Sequence, residues 1–266
     1  MPALNARSAR TWLLALVAVG TALFALTATA DAIKVHLRLG DLLITGEGGV
    51  TPTRLPKDQD APITIYGGGT ISTVSGAYPP VIQDINFEFD KHGSVVTTGL
   101  PVCTSAKLQA TTVAAARKNC PGAIVGKGFG RGVVVFPEQP AIPVSSPITL
   151  FNGPKKGGND TVFAHFYTTV PAPVAFVIPI VIQKISKGVY GYRTEARIPP
   201  IAGGNGIPLS GHLTIGKKWT YRGKRYSYVN ARCATGRLQA RGEFAFRDGT
   251  ELRGTFFQPC QVKSPS

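Results

Sequence analysis

KKWTYRGKRYSYVNARC, running from Lys217 to Cys233, reads as a β-hairpin. Gly223-Lys224 offers a two-residue turn with glycine first, the type II′ preference, which sets Arg222 opposite Arg225, Tyr221 opposite Tyr226 and Trp219 opposite Tyr228. Side chains alternate along a strand. This register therefore gathers Trp219, Tyr221, Tyr226 and Tyr228 on one face and Lys218, Arg222 and Arg225 on the other, with Lys224 in the turn. Aromatic rings stack on sugar or base faces while Lys and Arg hold phosphate or carboxylate, so these eight residues form the candidate ligand-binding surface. The same rings equally suit the inner face of a β-sandwich, with the basic residues left in solvent.

Downstream, RLQARGEFAFRDGTELRGTFFQPC (Arg237 to Cys260) alternates around Asp248-Gly249, a second two-residue turn signal. Pairing Arg247 with Thr250 puts Arg237 opposite Cys260, and Cys233 lies a short loop before Arg237, within reach of a bridge. The other two cysteines, Cys103 and Cys120, pose a sharper geometric problem. A straight helix between them would span about 25 Å at about 1.5 Å per residue, whereas bridged Cα atoms sit about 5 to 6 Å apart. The segment has to fold back on itself, which two short helical turns achieve, Ser105 to Leu108 and Val113 to Lys118 with Thr112 as N-cap. With no C-x-x-C spacing in an exported chain, the expectation is two local disulfides, Cys103–Cys120 and Cys233–Cys260, and no metal site or cofactor.

Export is read from the other end. Arg7 and Arg10 precede an uncharged apolar run from Thr11 to Ala30 that closes on Ala28-Thr29-Ala30, the pattern of a cleaved signal peptide over residues 1–30. An uncleaved anchor is the competing reading, since about 20 apolar residues just span a bilayer. The whole chain carries a formal charge of +15, and losing residues 1–30 with their two arginines leaves +13. Such a protein is drawn to anionic surfaces, which outside the cell means envelope polymers, glycans or lipid headgroups, and to nucleic acid only incidentally.

Between these ends the chain reads almost entirely as strands. Ile33 to Leu39, Val81 to Asp90, Ile148 to Gly153, Asp160 to Val170, Val189 to Ile198 and Leu209 to Gly216 all suit extended structure. Gly46 to Pro62 is rich in breakers and reads as a mobile loop, and Pro137 to Pro147 as a proline-rich connection. Gly126, Gly128, Gly130 and Gly132 share one face of an extended segment, where bare backbone lets another strand or a ring approach closely. Val170 to Lys184 is too short and proline-broken for a membrane helix and reads as a buried strand with Pro179 at a bulge or an edge. Ten or more strands against one helical excursion predict an all-β fold, an antiparallel β-sandwich or barrel-like single domain over residues 31–266 with a short helical disulfide loop, the alternative being two domains divided near Pro137 to Pro147.

GLPVC (Gly99 to Cys103), NCPGAIVGKG (Asn119 to Gly128), LFNG (Leu150 to Gly153) and WTYRGKRYSYVNARC (Trp219 to Cys233) resemble the recurring blocks of a group of exported proteins of high-GC soil bacteria. The resemblance spans roughly residues 81–262 and implies export and the cysteine framework, with no particular activity.

Catalytic signals are sparse. G-x-S-x-G and H-E-x-x-H are absent. His36, His92, His165 and His212 are isolated in sequence, while Glu88 and Asp90 share a strand face close enough for paired carboxylate work or for plain solvation. The reading is a secreted, disulfide-stabilised protein with a non-catalytic structural or binding role at the cell envelope, its partner an anionic polymer or glycan. The alternative is a hydrolase of an extracellular polymer, which requires His36, His165, His212, Glu88 or Asp90 to converge in a cleft.

Overall fold

The computed structural model describes residues 33–263; the signal-peptide reading of residues 1–30 lies outside them. Twelve strands form one antiparallel sheet: β1 (Ile33–Leu39), β2 (Leu42–Thr51), β3 (Thr64–Thr73), β4 (Ile82–Asp90), β5 (Ile124–Val134), β6 (Ile142–Lys156), β7 (Asn159–Thr168), β8 (Val174–Lys187), β9 (Tyr190–Arg197), β10 (Gly206–Ile215), β11 (Arg237–Phe246) and β12 (Glu251–Pro259). Their order is β1-β2-β3-β10-β5-β6-β7-β8-β9-β4-β11-β12. The two edge strands meet: a Cβ on Gly254 of β12 would lie 2.6 Å from Leu37 of β1, and one on Gly46 of β2 would lie 3.0 Å from the Phe256 ring. The sheet is therefore a nearly closed barrel, and the all-β barrel-like reading of the sequence holds.

Register shows why the sequence alternates. Directly paired residues share a face of the sheet. One row runs His36, Thr45, Thr70, Ser210, Arg131, Ser145 and the neighbouring row runs Gly46, Gly69, Gly211, Gly130, Ser146. Along β1 the basic positions Lys34, His36 and Arg38 are exposed while Ile33, Val35 and Leu37 are half-buried. The polar rows thus lie on the convex outside and the apolar rows line the lumen. The glycines of β5 curl the wall, since Cβ atoms at Gly126, Gly128 and Gly132 would fall 2.4, 2.1 and 2.6 Å from carbonyl oxygens of β10.

Two segments close over this wall. The chain between Leu100 and Ala123 lies on its outside, where α1 (Val113–Asn119), capped by the Thr112 hydroxyl accepting from the Ala115 amide, packs Cys103, Leu108 and Ala116 against Phe151 and Phe163. Cys103 and Cys120 are bridged with Cα atoms 5.7 Å apart, and helical turns at Ser105–Lys107 and α1 fold the segment back as the spacing requires. The second segment plugs one mouth of the barrel. Val229–Ala231 pairs with Ala61–Pro62 and Gly93–Val95, the bridge Cys233–Cys260 fastens it, and Leu55, Leu100, Tyr228 and Val229 pack against the inward residues Leu150, Val162 and Ile178. At the far mouth Leu42, Ile44, Ile82, Phe246 and Leu252 form a separate buried cluster.

Four expectations fail in instructive ways. Gly46 to Thr51 is strand, not mobile loop, because its glycines pair with β3 in regular register. Ile142 to Pro147 already belongs to β6, with Pro143 and Pro147 on the exposed outer face. Val174–Lys187 alternates between lumen and solvent and is not buried on both faces. Its Pro179 sits where the β9 ladder has ended, since pairing with β9 starts at Ile180, so the missing N–H falls on a local edge. Finally, the β11–β12 turn holds three residues, Arg247, Asp248 and Gly249, with Gly249 at φ +88°. A type I turn closed by a left-handed glycine fits the strand twist better than the two-residue loop and sets Arg237 opposite Pro259, not Cys260.

Candidate functional site

The basic hairpin stands at the plugged mouth, in a register one step from the expected one. Lys218–Tyr221 pairs with Lys224–Ser227 so that Trp219 faces Tyr226 and Tyr221 faces Lys224. The turn is Arg222-Gly223, with φ at +48° and +74°. Positive φ at both positions is the type I′ arrangement, which matches strand twist even though Arg222 is strained there. Packing sets the choice: the Trp219 indole N–H donates to the Thr98 carbonyl at 3.0 Å, and the Tyr221 ring lies so close over Gly99 that a Cβ would fall 2.2 Å from it. Gly99 has φ +69°, so glycine is required there for both conformation and space.

The four aromatics divide. Tyr228 leaves the hairpin and becomes core, 1% exposed, with its hydroxyl lacking a hydrogen-bond partner. Burial, with the nearby Asp160 charge, pushes its phenol well above the usual range. Trp219 and Tyr226 are partly buried, Trp219 against the core around the plug, and stack on each other, centroids 5.7 Å apart and planes 19° apart. Tyr221 is half-buried under the Arg222 guanidinium, 5.2 Å from its centroid. Lys218, Arg222, Lys224 and Arg225 are exposed, and among the described residues none forms an ion pair. Lys224 joins the aromatic face, Lys218 and Arg225 take the opposite one, and Arg222 moves into the turn.

Beside the hairpin, the Thr97–Thr98 ledge also borders an open recess of about 370 Å³ between plug and wall. Lys155, Asp160, Lys184, Ile182 and Tyr192 line it, with Lys155 paired to Asp160 at 3.2 Å and the Thr97 hydroxyl donating to the same carboxylate oxygen at 3.2 Å. Sequence reasoning missed this recess because its walls come from three separate segments, Val95–Thr98, Lys155–Asp160 and Ile182–Tyr192, with no local motif.

The residues examined for catalysis are held elsewhere. Glu88, 1% exposed on the outer face, receives Lys187 and Arg193 at 3.3 Å and Arg241 closer still. Burial alone would push its carboxyl up; the Lys187 hydrogen bond and the Arg241 charge outweigh that and hold it below the usual carboxylate range. Asp90 accepts the amides of His92 and Gln239 at 2.9 and 3.2 Å and pairs with the His92 ring at 2.8 Å. His36 meets the Thr45 hydroxyl, and His212 stacks on Phe129. His165 is fully buried beneath the outer disulfide loop, its Nε2 3.1 Å from the Thr111 carbonyl and its Nδ1 without a partner. Desolvation pulls its pKa below the usual histidine value, against the raising effect of the Thr111 and Leu108 carbonyls. No hydrogen bond or ion pair joins any two of His36, His165, His212, Glu88 and Asp90, and no three metal-ligating side chains cluster among the described residues.

Among the described residues no helix is long and apolar enough to cross a membrane, which says nothing about strands. No family model, curated protein or solved structure matches the chain.

Proposed function

We propose that this disulfide-bonded all-β protein is secreted and acts at the cell envelope without catalysis, binding an anionic polymer or glycan through the hairpin Lys218–Ser227. One observation carries the reading. The stacked, partly buried Trp219–Tyr226 pair is held by the indole N–H bond to the Thr98 carbonyl and shares its face with exposed Lys224, while exposed Arg222 lies in the adjoining turn over Tyr221, an arrangement that offers a flat ring to a sugar and charge to its acidic group. The mature net charge supports the same partner class through long-range attraction.

Trp12 lies in the signal-peptide region, so Trp219 is the sole tryptophan beyond it and its fluorescence reports on this site alone. Titration with polygalacturonate should shift and partly shield Trp219 emission saturably, with affinity falling steeply between low and physiological salt. Replacing Arg222 and Lys224 with alanine should weaken binding about tenfold, each rim charge contributing on the order of 0.5 to 1 kcal/mol. Emission indifferent to polygalacturonate and to heparin at low salt would abandon the site.

A further inference from the structure

Charge on the outer wall is matched on one side of the barrel and unmatched on the other. Across β8, β9, β4, β11 and β12, Lys187, Arg193, Arg241 and Arg253 each lie within ion-pair distance of Glu88, Glu195, Glu243 or Glu251. The adjacent strands β3, β10, β5 and β6 contain no Asp or Glu, and neither does the covering loop, residues 100–123. Arg117, Lys127 and Arg131 on this side are exposed, and among the described residues none forms an ion pair.

Register brings these three together. Lys127, Phe129 and Arg131 are successive outward residues of β5, about 14 Å from first to last at about 3.4 Å per residue. Lys127 pairs directly with Thr149 of β6, whose buried hydroxyl accepts from the Arg117 Nε at 2.9 Å, so a guanidinium is held beside an ammonium. Like charges so placed repel, and no carboxylate on these strands offsets them. Between Lys127 and Arg131 the Phe129 ring lies beside that of His212 on β10, centroids 6.3 Å and planes 25° apart, with the Arg131 guanidinium 5.5 Å from the Phe129 centroid. The row continues into Gly68 of β3, which has no side chain to stand above the rings.

We propose that this strip binds an acidic polysaccharide, a sugar ring lying on Phe129 and His212 while acidic groups meet Lys127 with Arg117 at one end and Arg131 at the other. Charge complementarity selects a polyanion. The ladder adds hydroxyls that suit a sugar: Ser145 and Ser210 flank Arg131, and Thr214 flanks Lys127. The class of polymer rests on the reading given to the hairpin, but the strip uses none of the hairpin's residues and the two are tested apart.

Calorimetric titration of the full mature protein with polygalacturonate oligomers tests the strip, while Trp219 emission reports the hairpin separately. Lys127→Ala with Arg131→Ala should weaken binding about tenfold. Phe129→Leu keeps apolar bulk and should weaken it several-fold at an unchanged salt slope. Lys187→Ala with Arg253→Ala removes the same charge from the matched side and should leave affinity within about twofold. Equal weakening by the two double variants would reduce the strip to net charge and overturn the inference, as would an affinity that Lys127→Ala with Arg131→Ala leaves intact, whatever Trp219 reports. Strip-dependent binding with a silent Trp219 would remove the hairpin and keep the strip. Single-stranded oligothymidylate bound more tightly than polygalacturonate of equal charge would overturn the polysaccharide as occupant.

Discussion

The two disulfide loops close similar lengths of chain, separations of 17 and 27 residues, yet lie on opposite sides of one wall. The outer loop covers a mixed strand face: Cys103, Leu108 and Ala116 pack on Phe151 and Phe163, and the polar groups beside them have to be satisfied. Arg117 donates to the Thr149 hydroxyl at 2.9 Å, and the Thr111 carbonyl pairs with His165. The inner segment meets the apolar face and brings Tyr228, Val229, Ala231 and Cys233 to it, while its backbone groups pair with strand fragments at the rim. A pleated wall has two chemistries one residue apart, and a covering segment must match the face it meets.

The largest test of that contrast removes each bridge. Loop entropy assigns about 3.5 kcal/mol to Cys233–Cys260 and about 3 kcal/mol to Cys103–Cys120. Cys233→Ser with Cys260→Ser should also loosen the plug, moving Trp219 emission to the red and opening it to iodide, while the Cys103→Ser, Cys120→Ser pair leaves Trp219 unchanged. Denaturant unfolding and quenching measure both; equal effects on Trp219 would erase the distinction between inner and outer cover.

A smaller effect belongs to the uncovered outer wall. Glu88→Gln leaves Arg193, Arg241 and Lys187 converging on a neutral group, and because these cations are partly solvated the loss should be about 2 kcal/mol, below the usual figure for a broken buried pair. Stability that instead rises on this substitution would mean the clamp costs more in desolvation than it returns.

The smallest is a pH effect under the outer loop. His165 is neutral in the fold, with Nε2–H donated to Thr111 and Nδ1 buried bare, so protonation would bury an unpaired charge. Its folded pKa lies below its unfolded value of about 6.5, so as pH falls below that value the unfolded chain takes up the proton first and stability drops, by at most about 1.4 kcal/mol per pH unit. His165→Phe should flatten melting temperature between pH 6.5 and 5; an unchanged slope would place the titration elsewhere.

Much of this was legible in order along the chain. Alternation located β1 and β4 to within a residue, the cysteine separations demanded a folded-back helical loop, and Thr112 announced its own cap, because each of these depends on neighbours within a few residues. The candidate site was legible in composition and not in arrangement. Trp219, Tyr221 and the four cations were recognisable, but the turn moved by one residue because Thr98 and Gly99 hold the rings, and that removed Tyr228 to the core.

The amino-acid sequence by itself determined an all-β chain with two local disulfides, since strand period, capping and short loop closure are decided by adjacent residues. Only the tertiary structure decided which loop lies inside the barrel and which outside, that Glu88 meets Arg241 from 153 residues away, and that glycines of four strands align in one lumen row. Those pairings arise from register between strands distant in the chain, and a one-residue slip in any of them would send every side chain to the other face.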